Sequence, residues 1–153
     1  MKLTLYTDYA MRVMIHLAVV GDRLASIDEI TRVYGVSRSH MMKVVQGLGA
    51  AGYVETVRGR NGGIRLGKPA NTINIGELVR HTESSFQLVD CQNCLIGSAC
   101  GLTGVLAEAM NAFLKVLDNY TIADLVGRQR KLKELFAITQ KNQSRSIDIA
   151  PAE

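Results

Sequence analysis

The sequence predicts a mainly α fold with one small β-hairpin, and three observations carry that expectation. Apolar residues recur at helical spacing in several separate segments. Two short alternating runs flank a glycine-rich turn between Tyr53 and Leu66. A broad apolar stripe then marks one long helix from about Leu102 to Asp118. The 153 residues allow one domain with a real core, or a small domain with an extension. With no run of about 18 apolar residues, no membrane span is expected. Met1-Lys2-Leu3-Thr4 leads straight into a helical pattern instead of a signal peptide.

In the first helix, Thr7 reads as the N-cap and Asp8 as an acid of the first turn. Tyr6, Tyr9, Ala10, Val13, Met14, Leu17 and Ala18 mark one face up to about Gly21. Asp8 is favourable there with the helix dipole, and Arg12 is its i+4 partner. His16 reads as a packing residue. Ser26 and Glu29 have the spacing of a capping box, opening a short helix with Ile27, Ile30 and Tyr34 that ends at Gly35. Ser37 caps the next helix, Arg38 to Ala51. It buries Met41, Val44, Val45 and Leu48 and turns Arg38, Ser39, His40, Lys43 and Gln46 outward; the pair Met41 and Met42 is at least partly core. Two short helices joined by a tight glycine turn make a helix-turn-helix.

Gly52 closes that helix, Tyr53 to Val57 alternates as a strand, and Ile64 to Leu66 forms a second. Between them lies Arg58-Gly59-Arg60-Asn61-Gly62-Gly63. A hairpin directly after a helix-turn-helix is a wing, so residues 1–70 are expected to form a winged helix-turn-helix. Charge agrees: residues 1–68 hold ten Lys and Arg against five Asp and Glu, and residues 69–153 hold eight against nine. The net charge of +4 therefore resides in the N-terminal half, where a polyanion can be met. A merely solvated basic face, or a hairpin charged against aggregation, would account for each part alone. Helix, turn, helix and basic wing in series favour double-stranded DNA. Arg38, Ser39, His40 and Lys43 would face the major groove, with Arg58, Arg60 and Asn61 at the wing.

Residues 71–101 read as a connecting helix and a cysteine loop. Asn74 is the cap, Glu77, Leu78 and Val79 follow, and His81 lies near the C-terminal end. Residues 102–140 would hold the long helix and a C-terminal helical segment. Leu102, Val105, Leu106, Ala109, Met110, Phe113, Leu114 and Leu117 form a plausible homodimer seam, with packing on the chain's own winged helix as the competing use. Thr121 caps one more turn through Val126, the Arg128–Gln140 segment is basic, and residues 141–153 are expected to be a disordered polar tail.

All three cysteines fall in the loop, at Cys91, Cys94 and Cys100. An odd number without a secretion signal points to a reducing cytoplasm. Packing alone gives cysteines no reason to cluster, whereas thiolates in a loop of small polar residues can converge on one soft metal. Three ligands are one short of the usual four, so a fourth must come from another side chain, a partner subunit or an exogenous molecule. Zinc and a thiol switch remain alternatives at this level. An enzyme or electron carrier is disfavoured, because the bacterial ferredoxin spacing is absent and no nucleophile–base pair or phosphate loop is seen.

Thr7-Asp8-Tyr9-Ala10, Tyr34-Gly35-Val36-Ser37, the stretch Val57 to Ala70 and the three-cysteine loop resemble the Rrf2 family of iron–sulfur transcription regulators over residues 1 to about 126. Asp118-Asn119-Tyr120-Thr121-Ile122-Ala123-Asp124-Leu125-Val126, with the Arg-Gly-Arg-Asn-Gly-Gly wing, is most similar to the family's nitric-oxide-sensing repressors. The resemblance implies a homodimer on a palindromic operator, with nitric oxide as signal. It implies an iron–sulfur cluster, 4Fe–4S ahead of 2Fe–2S, held by Cys91, Cys94 and Cys100, with Asp8 of the opposite subunit as fourth ligand. One branch of the family places a ligand histidine three residues after the last cysteine; that position here is Thr103. Iron-responsive members share the wing, so iron status stands beside nitric oxide as an implied signal.

Overall fold

The computed structural model describes residues 2–91, 94–96, 99–127 and 131–137. The expected polar tail, together with residues 128–130 and 138–140 of the basic segment, lies outside the described residues. The fold is mainly helical with one two-stranded antiparallel hairpin.

The first helix, α1 (Leu5–Val20), starts a turn earlier than expected. Thr4, in extended conformation, is the cap, and its Oγ1 accepts from the Thr7 N–H at 3.3 Å. Thr4 and Thr7 offer the same cap chemistry three residues apart, and a tertiary contact decides between them. The Thr7 hydroxyl is buried and donates to Thr82 Oγ1 at 2.9 Å, which places Thr7 inside the helix.

Helices α2 (Ile27–Tyr34) and α3 (Arg38–Ala50) follow, capped by Ser26 and Ser37. Ser26 Oγ accepts from the Glu29 N–H at 3.0 Å, but the Glu29 carboxylate is held by Arg23 and His16. The capping-box spacing thus yields a serine cap and a tertiary anchor. Gly35 ends α2 in the left-handed region at φ 63°, which a side chain would strain. Strands β1 (Val54–Val57) and β2 (Gly63–Leu66) pair in the register Val54 with Leu66 and Val57 with Gly63. Ala25 and Ile64 exchange backbone hydrogen bonds of 2.9 and 2.8 Å, tying the hairpin to the loop before α2.

Met14, Leu17, Ile30, Met41, Leu48 and Ile64 are fully or almost fully buried in one core. After a single 3₁₀ turn (Ala70–Thr72), α4 (Ile75–Thr82) joins that core through Leu78 and Val79. The long helix α5 (Leu102–Leu117) buries only Met110 and Leu114. Phe113 and Leu117 pack half-buried against the core, whereas Leu102, Val105 and Val116 face outward, 50%, 63% and 56% exposed.

The C-terminal end of α5 is fastened to α4. Asp118 takes Arg80 through Nη2 at 2.8 Å and the Asn74 side-chain N–H through its carbonyl at 2.7 Å. Gly76 leaves room for this pair, because a Cβ there would displace the Asp118 carboxylate from Arg80. The chain then returns through α6 (Ile122–Leu125). Ile75 N–H bonds Tyr120 O at 2.9 Å and Ile122 N–H bonds Ile73 O at 3.0 Å. Residues 131–137 are helical, and Phe136 stacks on His16 at a centroid distance of 4.8 Å. No helix among the described residues is long and apolar enough to cross a membrane.

Candidate nucleic-acid interface and metal centre

Ser37 fixes the start of α3, and the buried stripe Met41, Val44, Val45 and Leu48 fixes its rotation. Arg38, Ser39, His40, Lys43 and Gln46 are therefore all exposed, as the sequence predicts. Met42 is 49% exposed, because one step along a helix turns it about 100° from Met41 and off the core face. His40 stacks on Tyr9 of α1 at 6.4 Å, and Arg38 Nη1 is paired with Asp28 Oδ1 of α2.

An open cleft runs between α3 and the hairpin, lined among others by Ser39, Met42, Lys43, Gln46, Thr56 and Arg58. It brings the polar face of α3 and the first wing arginine to one surface. Two of its lining residues are not among those expected on this surface: Met42, which reads with Met41 as at least partly core, and Thr56. Thr56 is exposed one position from Glu55 in β1, where strict alternation would turn it inward. Arg58, Arg60 and Asn61 are exposed at the tip, and the Gly62 N–H closes the turn on Gly59 O at 3.0 Å. Arg65 behind the tip is neutralised by Glu55, which accepts from its Nε at 3.0 Å and its Nη2 at 2.9 Å.

The three cysteines are free thiols; Cys91 and Cys100 are half-buried and Cys94 is exposed. Cys100 immediately precedes Gly101, the N-terminal flank of α5. Cys91 Sγ lies 3.6 Å from Thr103 Oγ1 in the first turn of that helix, and the Cys94 N–H reaches Cys91 O at 3.4 Å. Cys91 therefore lies against the first turn of α5. Three unpaired soft thiols are a donor set suited to an iron–sulfur or zinc centre. Among the described residues, no three His, Cys, Asp or Glu side chains gather within one chain at metal-holding distance.

Asp8 sits half-buried on α1, with its carboxylate on Arg12: Oδ2 to Nη2 at 2.9 Å and Oδ1 to Nε at 3.0 Å. This is the expected i+4 pair, and the hydrogen bond to Asp8 raises the Arg12 pKa against the opposing effect of burial. His16 is wholly buried, as a packing residue should be. Its Nε2 meets Glu29 Oε1 at 3.1 Å, and its Nδ1 has no hydrogen-bond partner among the described residues. Burial pushes its pKa down despite the Glu29 carboxylate. His81 is exposed beside Tyr53, with ring centroids 5.6 Å apart.

Residues 3–128 match the Rrf2 family, described as iron-dependent transcriptional regulators. A relative from Bacillus licheniformis, the HTH-type transcriptional regulator NsrR, is 50% identical over 143 residues, covering 90% of this chain and all of the relative. Among solved structures, CymR, the global cysteine regulator of B. subtilis, superposes with TM-score 0.69 at 26% identity, over 84% of this chain and 98% of that one. IscR of T. potens gives 0.68 at 25% identity, over 82% and 86%.

Proposed function

Because the chain belongs to the Rrf2 family of transcriptional regulators, and so is not an enzyme, we propose that it is an NsrR-like dimeric repressor whose operator binding is gated by a nitric-oxide-sensitive iron–sulfur cluster. The observation that carries this reading is the presence, in one chain, of an exposed basic α3–wing surface and three unpaired thiols at the start of α5. Acting on DNA, it would work in the cytoplasm.

Each part of the surface has its own task. Ser39, His40 and Lys43 on α3 enter the major groove with Arg38, while Arg58, Arg60 and Asn61 at the tip meet the backbone or minor groove. Replacing Arg60 by Ala is expected to weaken binding to every duplex and to reduce the salt slope by about 1, as loss of one phosphate contact does. Binding titrations at graded salt check this, and an unchanged slope removes Arg60 from the contact. The uncovered apolar side of α5, at Leu102, Val105 and Val116, packs against a second copy. Dimerisation then spaces two α3 helices for half-sites about one DNA turn, or a multiple of it, apart.

Cys91, Cys94 and Cys100 would hold the cluster, with Asp8 of the partner subunit as fourth ligand. When bound, a 4Fe–4S cluster supplies iron that reacts with nitric oxide. In this chain that carboxylate pairs with Arg12 through one bond to each oxygen, and each oxygen keeps a further lone pair that could ligate. A carboxylate is also a harder donor than a thiolate, which makes that corner the labile one. Gain or loss of that ligand would act on the first turn of α1, where Tyr9 stacks on His40 of α3. The iron-dependent family description also supports iron status as a second signal.

The test is purification without oxygen, followed by absorbance, iron and sulfide analysis and DNA binding before and after nitric oxide. A brown protein with matched iron and sulfide, released from DNA by nitric oxide, is expected. Release by iron withdrawal alone would assign the signal to iron status. A colourless, zinc-loaded or metal-free protein overturns the cluster and leaves a zinc or thiol-switch DNA-binding protein.

A further inference from the structure

We propose that Asp28 is a positioning residue for sequence recognition: its carboxylate holds the Arg38 guanidinium so that Arg38 reads a guanine in place of gripping a phosphate. The inference rests on the DNA-binding reading above and adds to it the residue that orients one of its contacts.

Two serine caps create the arrangement. Ser26 puts Asp28 in the first turn of α2, and Ser37 makes Arg38 the first residue of α3. The two side chains meet at the outer edge of the helix-turn-helix, Asp28 Oδ1 on Arg38 Nη1. Both are more than half exposed, at 61% and 58%. An ion pair so open to water adds little to stability, and the buried Ile30, Met41 and Leu48 already join α2 to α3. What the pair does set is the direction of the guanidinium.

Position makes that direction matter. In a helix-turn-helix the first residues of the second helix lie at the base edges, and the first helix crosses the phosphates. A carboxylate on such a face repels phosphate, so Asp28 unpaired would oppose binding. Placed against Arg38, it competes with phosphate for that side chain. Only Nη1 is engaged in the hydrogen bonds of the described residues. The other edge of the fork, Nε and Nη2, keeps parallel donors that suit guanine O6 and N7. Arg32, the nearest other cation on α2, bonds the Asp28 carbonyl at 3.1 Å through Nε, which leaves the carboxylate to Arg38. Charge toward the backbone comes from Arg58 and Arg60 at the wing, and Arg38 is released to carry sequence.

The test uses the full chain purified without oxygen and a random-sequence duplex library. Wild type, Asp28→Ala, Asp28→Glu and Arg38→Lys each select from it, and the selected duplex and a scrambled one are then titrated at several salt concentrations. Wild type is expected to enrich a guanine at one position of each half-site. Asp28→Ala and Arg38→Lys should lose about tenfold of that preference, at the same position. Asp28→Ala should bind the scrambled duplex as well as or better than wild type, and Asp28→Glu should restore part of the preference. A residue that only supports α2 would weaken both duplexes alike and leave base preferences intact, and that result overturns the proposal. So does an Asp28→Ala profile identical to wild type. A wild type that enriches no sequence defeats the DNA-binding reading itself and the inference with it.

Discussion

A mixed dimer of an Asp8→Ala subunit with a Cys94→Ala subunit is expected to hold about one normal cluster, by the ligand accounting that assigns the fourth donor to the opposite chain. Crossing ligation leaves one complete set in that dimer and one set lacking two ligands. Ligation within a chain would leave both sites damaged and the mixture no better than either parent. Iron per dimer and the absorption spectrum, read on heterodimers purified by two tags, separate these outcomes. In homodimers the severity should be graded. Cys91→Ala, Cys94→Ala and Cys100→Ala each remove a thiolate and should not retain the cluster. Asp8→Ala should assemble it and lose iron on the order of tenfold faster, the low end of what displaced metal support costs. Asp8 as a helix acid predicts something different: about 0.3–1 kcal/mol of stability near the dipole and no spectral change. A wild-type spectrum and nitric oxide response in the Asp8→Ala homodimer would return Asp8 to its pairing with Arg12.

Acid should loosen the packing of α1 on α2 well before general acid unfolding, because His16 is kept neutral. Burial lowers its folded pKa, so the unfolded chain takes up a proton first as pH falls through about 6.5. The associated stability is complete above that pH and declines below it, at up to about 1.4 kcal/mol per pH unit until the folded imidazole also protonates. For a chain of this size that is up to about 3–6 °C of melting temperature per pH unit. Glu29 acts in the same direction in a lower window. The Arg23 hydrogen bond holds it below the usual carboxylate range, and its contribution is lost as pH falls through that range. His16→Gln keeps a donor for Glu29 and does not titrate, so its melting temperature should be nearly flat between about pH 5 and 7. A slope equal to wild type would assign the acid sensitivity elsewhere.

Most of the winged helix was legible because its signals are local. Ser26, Ser37 and Asn74 each accept from the N–H three residues on, as their positions imply, and the four apolar residues of α3 are those the spacing marks. Where two local solutions were equivalent, a distant group decided. Thr7 lost the cap to Thr4 because Thr82, far along the chain, takes its hydroxyl. Glu29 was drawn from its capping role by His16 on another helix and by Arg23. The candidate surface was legible as a set of residue types, but its internal pairing was not. Nothing in the spacing of Asp28 and Arg38 announces their contact, since it depends on how two helices meet across Gly35. The cysteine loop is the opposite case: its chemistry stands out in sequence, while among the described residues of one chain no metal-holding group of three donors gathers.

Among the described residues, the ion pair and backbone bonds that fasten α5 to α4 lie at its Asp118 end, and this has a mechanical consequence. Arg80, Asn74 and the backbone bonds of Ile73 and Ile75 to Ile122 and Tyr120 clamp the helix at Asp118, and its far end follows the cysteines. The 16-residue helix is a stiff rod of roughly 24 Å, at 1.5 Å per residue. A tilt of about 5° at the clamp would sweep the Leu102 end through about 2 Å, by the same helical rise. Leverage runs both ways along such an arm. A strain of that size at the cysteine end would arrive at the clamp as a small rotation against α4, which shares its core with the winged helix. The arm converts a large displacement at the loop into a fine adjustment of angle at the base.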